Sequence, residues 1–163
     1  MRFLAALFLL ATAALAKPEQ IRGVREPIYH LYLQAHPSDP TKVVLGPEAS
    51  ADTFEIGGTI ESSTTGLFIN IGDDSTSYKT LTFGEAGETT AWGLEGDTII
   101  TTTGSTYGRQ LNFLVCDISG GYWEVFLQTG SDEPSDSSCS KATAMDWALG
   151  IIGSHGGKPP RGD

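Results

Sequence analysis

The sequence predicts an all-β fold, an antiparallel β-sandwich, with a closed β-barrel or a trefoil-like arrangement as the alternative. First, apolar and polar residues alternate with a period of two in short segments between residues 27 and 152. Second, turns rich in Gly, Ser, Thr and Asp separate these segments. Third, no segment shows a helical period, and only 142–152 is ambiguous because Ala and Leu tolerate either state. Strand spacing alone does not choose between a sandwich and a barrel.

Each predicted strand rests on a row of apolar side chains on one face, or on a β-branched run. In the first half these are Leu31 and Leu33 in 27–34, VVLG at 43–46, Phe54 and Ile56 in 52–60, Leu67, Ile69 and Ile71 in 66–72, and YKTLTF at 78–83. In the second half they are Trp92 and Leu94 in 90–96, DTIITTT at 97–103, Leu111, Phe113 and Val115 in 108–116, Trp123, Val125 and Leu127 in 122–128, and Met145, Trp147, Leu149 and Ile151 in 143–151.

The chain ends are expected to lie outside this domain. Residues 1–16 have a basic n-region, an apolar run and a final Ala-Leu-Ala, the features of a cleaved secretory signal peptide. Residues 17–26 are polar and read as a loose lead-in, and 153–163 are rich in Gly and Pro and read as a disordered tail. We therefore expect one β domain at 27–152 in a soluble, secreted protein without a membrane span.

The two cysteines are predicted to form one disulfide, as in other exported proteins. Cys116 and Cys139 would close a loop with 22 residues between them. Closing it stabilises the fold by about 3 kcal/mol on loop-entropy grounds. Alternation places Cys116 on the face opposite the Phe113 row, so the bond would tie the acidic loop 129–138 to that face.

One pair of segments indicates an internal duplication. FEIGGTIESSTTG at 54–66 aligns without a gap with WGLEGDTIITTTG at 92–104. Each has an aromatic residue, an aliphatic residue two positions later and a closing Thr-Thr-Gly. Two copies indicate a duplicated hairpin, whereas a three-fold barrel would need a third.

The charge balance excludes some partners. The formal net charge is −10 and Lys and Arg are scattered, so nucleic acid and anionic membranes are not expected as partners.

An ordered set of motifs resembles the PhiA-type family of small secreted fungal cell-wall proteins. The motifs are F-x-I-x-G at 54–58, W-x-L-x-G at 92–96, L-x-F-x-x-C at 111–116 and G-x-W-x-V-F at 121–126, followed by Gly130, Pro134 and Cys139. The similarity covers about residues 50–150. The resemblance implies a non-enzymatic protein in the wall or culture fluid of a filamentous fungus.

The sequence offers no constellation for catalysis, cofactors or metal. The three histidines, His30, His36 and His155, do not share metal-ligand spacing. No serine lies in a nucleophile elbow. Glu55, Glu95 and Glu124 alternate with core residues and are expected to point outward, rather than to converge as a glycosidase pair. No catalytic residue is therefore predicted.

A second row of aromatic residues suggests a binding face. Tyr32, Phe68, Tyr122 and Phe126 lie opposite the apolar rows of their strands, and stacked aromatics suit sugar rings. The alternative is that loops or other strands cover them. The prediction is a structural or polysaccharide-binding wall protein, with an effector that binds a host or competitor protein as a second class and an unidentified hydrolase as a third.

Overall fold

The computed structural model describes residues 17–135 and 149–152, with side chains described for 17–135. These residues form twelve strands and one short 3-10 helix, Glu48–Ser50. The first six strands are β1 (Gln20–Gly23), β2 (Tyr32–His36), β3 (Asp39–Gly46), β4 (Phe54–Ile56), β5 (Ile60–Ser62) and β6 (Phe68–Ile71). The others are β7 (Tyr78–Gly84), β8 (Trp92–Glu95), β9 (Thr98–Thr101), β10 (Phe113–Asp117), β11 (Trp123–Gln128) and β12 (Leu149–Ile152).

The strands form one nearly closed, barrel-like antiparallel sheet. Eight of them follow one another in the order β4–β5–β6–β7–β11–β3–β2–β1. Glu19 and Phe54 then exchange two backbone hydrogen bonds, of 2.9 and 2.8 Å, which bring the start of β1 back to β4. The all-β antiparallel prediction is therefore confirmed. The sandwich is not confirmed, because the structure has the barrel-like closure that the strand spacing left open.

A three-strand junction completes the barrel wall. Lys42 of β3 lies opposite Thr82 of β7, and beyond this point β11 lies between the two strands. Trp123 of β11 pairs with Leu45 of β3, whereas Phe126 of β11 pairs with Thr80 of β7. Strand β10 pairs with β11 from outside the barrel path, and β12, β9 and β8 extend the sheet from β1.

The barrel interior is a single apolar core. Alternate residues of nearly every strand point into it, as the period-two pattern predicts. Two aromatic stacks lie in this core: Phe54 on Phe83, with ring centroids 6.3 Å apart, and Trp92 on Phe113, at 6.5 Å. Trp92 is 2 % exposed and also donates a hydrogen bond from Nε1 to the Ile69 carbonyl at 2.9 Å. Burial of such large rings is the main source of stability in a small β domain.

A smaller cluster covers the outer face of β10 and β11. Leu114, Cys116 and Phe126 are buried together there, with Tyr78 packed against them. Cys116 thus lies opposite the core row, as predicted. The described residues include no free cysteine. Cys139, the predicted disulfide partner of Cys116, lies outside the described residues, so the disulfide stays a prediction.

Two boundaries near the start of the domain differ from the prediction. The expected lead-in 17–26 contains β1, which pairs with β2 and β12. The expected strand 27–34 begins only at Tyr32, because His30 has a φ of +62° and cannot continue an extended strand. Ile28 is nevertheless fully buried in this turn, which explains its apolar character. Four predicted segments lie outside the described residues: the signal peptide, residues 136–138 at the end of the acidic loop 129–138, residues 143–148 of the last strand, and the tail.

The two aligned segments both fold as β-hairpins. In β4–β5, Ile56 pairs with Ile60 across a three-residue loop. In β8–β9, Glu95 pairs with Thr98 across a two-residue loop, where Gly96 has a φ of +61°. Both aligned segments are therefore hairpins, and 52–60, which was predicted as one strand, turns at residues 57–59. The second strands begin at the aligned positions Ile60 and Thr98, but the loops differ by one residue, so the pairing register of the two hairpins differs by one.

Candidate functional site

Two of the four predicted ligand-facing aromatics are buried. Tyr32 is 5 % exposed and Phe126 is 8 % exposed. Phe126 packs edge-to-face on Tyr78, with ring centroids 5.7 Å apart, and also contacts the cluster around Leu114. The prediction that these two residues lie on an exposed face is therefore wrong, and for Phe126 the reason is that the outer cluster covers its side of the sheet.

The other two aromatics are half-buried against glycines. The Tyr122 ring lies against Gly46, where an added Cβ would come within 2.6 Å of the ring. Phe68 lies against Gly87 in the same way, at 2.9 Å. These rings fill the space that a missing side chain leaves on the sheet surface. Tyr32 and Tyr122 both adjoin Gly46, but the structure does not bring all four aromatics into one patch.

The three outward carboxylates do not converge either. Glu55 and Glu95 are exposed as predicted. The side chain of Glu124 is only 16 % exposed and accepts a hydrogen bond from Lys42 Nζ at 2.6 Å. These positions lie on β4, β8 and β11, and Glu124 is part of the three-strand junction rather than of a solvated face.

A polar cleft lies between the two loops that flank the β8–β9 hairpin. Loop 85–91 leads into β8 and loop 102–112 leads out of β9. The cleft has a volume of about 450 Å³, within the range of ligand pockets. Its lining consists mainly of hydroxyl-bearing residues: Ile71, Glu88, Thr89, Thr90, Ala91, Thr102, Gly104, Ser105, Thr106 and Tyr107.

The first wall of the cleft is held by Asn70 of β6. Its Nδ2 donates to the Ala86 carbonyl at 2.8 Å, and its Oδ1 accepts from the Thr89 backbone N–H at 3.0 Å. Thr89 in turn accepts a hydrogen bond on its Oγ1 from the Ile71 backbone at 2.8 Å. Because Asn70 is 9 % exposed and uses both ends of its amide, loop 85–91 has one well-defined position.

The second wall is held by hydroxyls at the end of β9. Thr101 Oγ1 donates to the Gly108 carbonyl at 2.7 Å and accepts from the Gln110 backbone at 3.0 Å. Ser105 Oγ donates to the Thr102 carbonyl at 2.7 Å. The Thr102 backbone N–H also reaches the Ala91 carbonyl at 2.8 Å, which joins the two walls.

An exposed ion pair ties the second loop to β8. Arg109 donates to the Glu95 carboxylate from Nε at 2.8 Å and also from Nη2. These hydrogen bonds lower the pKa of Glu95 and raise that of Arg109. Such a bidentate pair orients the loop, although solvent screening keeps its contribution to stability small.

The cleft also contains polar groups that the fold leaves unused. Within the described part of the chain, the hydroxyls of Thr90, Thr102, Thr106 and Tyr107 and the carboxylate of Glu88 make no hydrogen bond. Tyr107 is half-buried and packs against the main core, so its ring is supported from behind. Five uncommitted donors and acceptors in one recess suit a polyhydroxylated ligand.

Residues 17–135 and 149–152 supply no evident metal centre or membrane span. They contain no group of three or more His, Cys, Asp or Glu side chains that would hold a metal ion. None of their helices has the length and apolar character needed to cross a membrane.

The sequence interpretation missed every residue of the cleft. Its lining comes from GETTA at 87–91 and TTGSTYG at 102–108, which read as ordinary turns. The available signal was a density of hydroxyl residues on both sides of one hairpin, together with a single tyrosine. That signal becomes specific only when the fold places the two loops side by side.

Comparison with known proteins adds no relative. No family model, curated protein or solved structure matches the chain. The resemblance to the PhiA-type family therefore remains a sequence interpretation.

Proposed function

We propose that this protein is a secreted, non-enzymatic polysaccharide-binding protein, associated with the fungal cell wall, and that it binds glycan in the cleft beside β8–β9. The observation that carries the proposal is the set of uncommitted hydroxyls around Tyr107 between two well-anchored loops. A preorganised polar site loses little conformational entropy on binding, so modest contacts produce measurable affinity.

The charge of the cleft favours neutral sugars. Among the residues that the structure describes, Glu88 is the only charged one in the lining, and none of the Lys or Arg residues lines it. The whole chain has a formal charge of −10, so a uronate or sulfate group would be repelled. We therefore expect uncharged polymers such as chitin, β-glucan or cellulose to be the ligand class.

The same surface argues against the two other classes. Among the described residues, the only large apolar side chains that are exposed are Tyr29 and Leu94, at 46 % and 40 %. A compact apolar patch typical of a protein-binding effector is therefore lacking in that part of the chain. A glycoside hydrolase needs two carboxylates flanking its substrate, and the cleft lining supplies one, Glu88.

The test is binding of the secreted protein, purified from the culture medium, to insoluble chitin, β-glucan and cellulose. Thr106→Val and Tyr107→Phe each remove one cleft hydroxyl. Each is expected to weaken binding by about five- to tenfold, the value of one hydrogen bond. Thr103→Val is the matched control, because Thr103 is exposed in the same loop but does not line the cleft.

The outcomes separate the function from the site. Saturable binding that the two cleft variants weaken, while Thr103→Val binds normally, supports both. Binding that Tyr122→Ala weakens and the cleft variants do not would move the site to the half-buried aromatic at Gly46. Failure to bind any of the three polymers would overturn the proposal.

A further inference from the structure

A second recess lies on the β4–β5 hairpin. It has a volume of about 160 Å³ and is lined by Glu55, Ile56, Gly57, Thr59 and Glu61. Glu55 and Glu61 face each other on the paired strands, and Phe68 of β6 is the next residue across the sheet from Glu61. The recess thus combines two carboxylates and a hydroxyl with a neighbouring aromatic ring.

This hairpin recess adjoins the cleft. A Cβ added to Gly58 would lie 3.6 Å from the carbonyl oxygen of Thr90, an ordinary van der Waals contact. Thr90 lines the cleft, whereas the two neighbours of Gly58 in the chain, Gly57 and Thr59, line the hairpin recess. The Trp92 backbone N–H also donates to the Gly58 carbonyl at 3.0 Å. The contact between Gly58 and Thr90 therefore lies between the two depressions.

Loop 85–91 fixes the relative position of the two depressions. Its residue Gly87 contacts both Phe68 and Thr59, where an added Cβ would be 2.9 and 3.1 Å from their side chains. Two residues later, Thr89 is held by Asn70 in the wall of the cleft. One anchored loop thus contacts the hairpin recess at Gly87 and lines the cleft from Glu88 to Ala91.

The polar groups of the hairpin recess are uncommitted, like those of the cleft. Within the described residues, the side chains of Glu55, Thr59 and Glu61 form no hydrogen bond or ion pair. Carboxylates opposite each other on paired strands repel, so the arrangement does not serve stability. Both oxygens of each carboxylate remain available as acceptors for ligand hydroxyls.

We propose that the two depressions form one extended site, and that a neutral glycan chain occupying the cleft continues across Thr90 and Gly58 into the hairpin recess. The inference rests on the proposed function, because it assigns further sugar units to the same site. It makes a distinct prediction: affinity depends on the length of the glycan, and the hairpin recess contributes only to long ligands.

The experiment is calorimetric titration with β-1,3-glucose and N-acetylglucosamine oligomers, each from the disaccharide to the hexasaccharide. The native protein is expected to bind the hexasaccharide of the preferred sugar about tenfold more tightly than the disaccharide. The double variant T59V/E61Q is expected to lose that gain and to keep its affinity for the disaccharide. Thr106→Val should weaken binding at every length. Glu48→Gln, which changes an exposed carboxylate in the 3-10 helix, is the charge-matched control.

Thermal unfolding distinguishes lost contacts from a damaged fold. Glu61→Gln alone relieves the repulsion with Glu55, so its melting temperature should not fall while its affinity for the hexasaccharide does. Equal affinity at every length, or a T59V/E61Q protein that binds the hexasaccharide like the native one, would overturn the extended site and leave the cleft intact. Absence of binding at all lengths would contradict the proposed function itself.

Discussion

The hairpins β4–β5 and β8–β9 each begin with a fully buried aromatic residue, Phe54 in the first and Trp92 in the second. After β5, the chain turns within Ser62–Leu67 and enters β6, and Asp52 closes this turn with hydrogen bonds from Ser62 and Thr64. After β9, the chain follows loop 102–112 before it enters β10. The same local pattern therefore ends in a compact turn in one copy and in the wall of a cleft in the other.

The comparison shows where the fold leaves polar side chains without a hydrogen-bond partner. In the first copy, the hydroxyls of Ser62 and Thr64 both donate hydrogen bonds to the carboxylate of Asp52. In the second, the hydroxyls of Thr101 and Ser105 donate hydrogen bonds to backbone carbonyls of the loop. The hydroxyls of Thr102 and Thr106 form no hydrogen bond with the described residues. The longer connection has more polar groups than its own structure uses, and that surplus is the candidate site.

The largest expected effect is the loss of stability when the buried aromatic residue at the start of either hairpin is truncated. Phe54→Ala and Trp92→Ala are each expected to lower the free energy of unfolding by about 3–5 kcal/mol, because each leaves a cavity in the core. Trp92→Phe removes the hydrogen bond to the Ile69 carbonyl together with part of the buried indole, and should cost about 1–3 kcal/mol. Urea denaturation measures all three. A Trp92→Phe protein as stable as the native one would show that this hydrogen bond contributes nothing.

The next effect concerns the wall of the cleft. Asn70→Leu keeps the side-chain volume but removes the partners of the Ala86 carbonyl and the Thr89 N–H. The expected cost is about 2–4 kcal/mol for two unpaired backbone groups. Affinity for the glycan should fall as well, since loop 85–91 loses its anchor. Denaturation and calorimetry on the same protein give both values, and unchanged affinity in a destabilised variant would show that the loop keeps its shape without Asn70.

The turn after β5, at residues 62–67, should affect stability without affecting binding, because it lines neither the cleft nor the hairpin recess. Asp52→Ala removes the acceptor for Ser62 and Thr64 and is expected to cost about 1–3 kcal/mol. Ser105→Ala is the matched change in loop 102–112, which follows the second hairpin. It should cost about 1 kcal/mol of stability and also weaken glycan binding. Reversed behaviour, with Asp52→Ala weakening binding and Ser105→Ala leaving it unchanged, would contradict the assignment of binding to loop 102–112 rather than to the turn after β5.

The smallest effect is a pH dependence from the ion pair on β8. The hydrogen bonds from Arg109 hold the pKa of Glu95 below its ordinary value, so the pair stabilises the folded state at any pH above that ordinary value. The contribution is lost as pH falls through the depressed pKa of the folded state. Arg109→Gln should therefore lower the melting temperature slightly at pH 7 and have no effect at strongly acidic pH. The control is Arg25→Gln, which replaces an exposed arginine of the lead-in. An equal shift of the melting temperature in both variants would show that the ion pair itself does not contribute to stability.

Several features of this protein could be predicted from single residues and their spacing. Alternation at Phe113, Val115, Val125 and Leu127 correctly separated the core face from the face of Cys116, because one side chain in two must be buried in a sheet that is covered on one side. Where both sides are covered, the same rule failed. Tyr32 and Phe126 alternate like exposed residues but are buried, and Phe126 is covered by a second cluster on the outer face of the sheet.

Strand boundaries failed where the backbone itself departs from extended geometry. His30 with its positive φ ended the strand that was expected at 27–34, and no side-chain pattern announced this. Gln20–Gly23 looked too polar for a strand, yet it pairs on both edges, and only Ile21 and Gly23 are buried there. In a strand with one buried face, only every second residue needs to be apolar. A segment of four residues is too short to show this alternation clearly.

The sequence by itself determined the all-β class, the core rows and the acidic net charge, since these follow from local alternation and composition. Only the tertiary structure decided that Glu19 closes on Phe54, that β11 fills the gap between β3 and β7, and that loops 85–91 and 102–112 face each other. The physical reason is that barrel closure and the cleft depend on hydrogen bonds between residues distant in the chain. No local pattern records which two loops those bonds bring together.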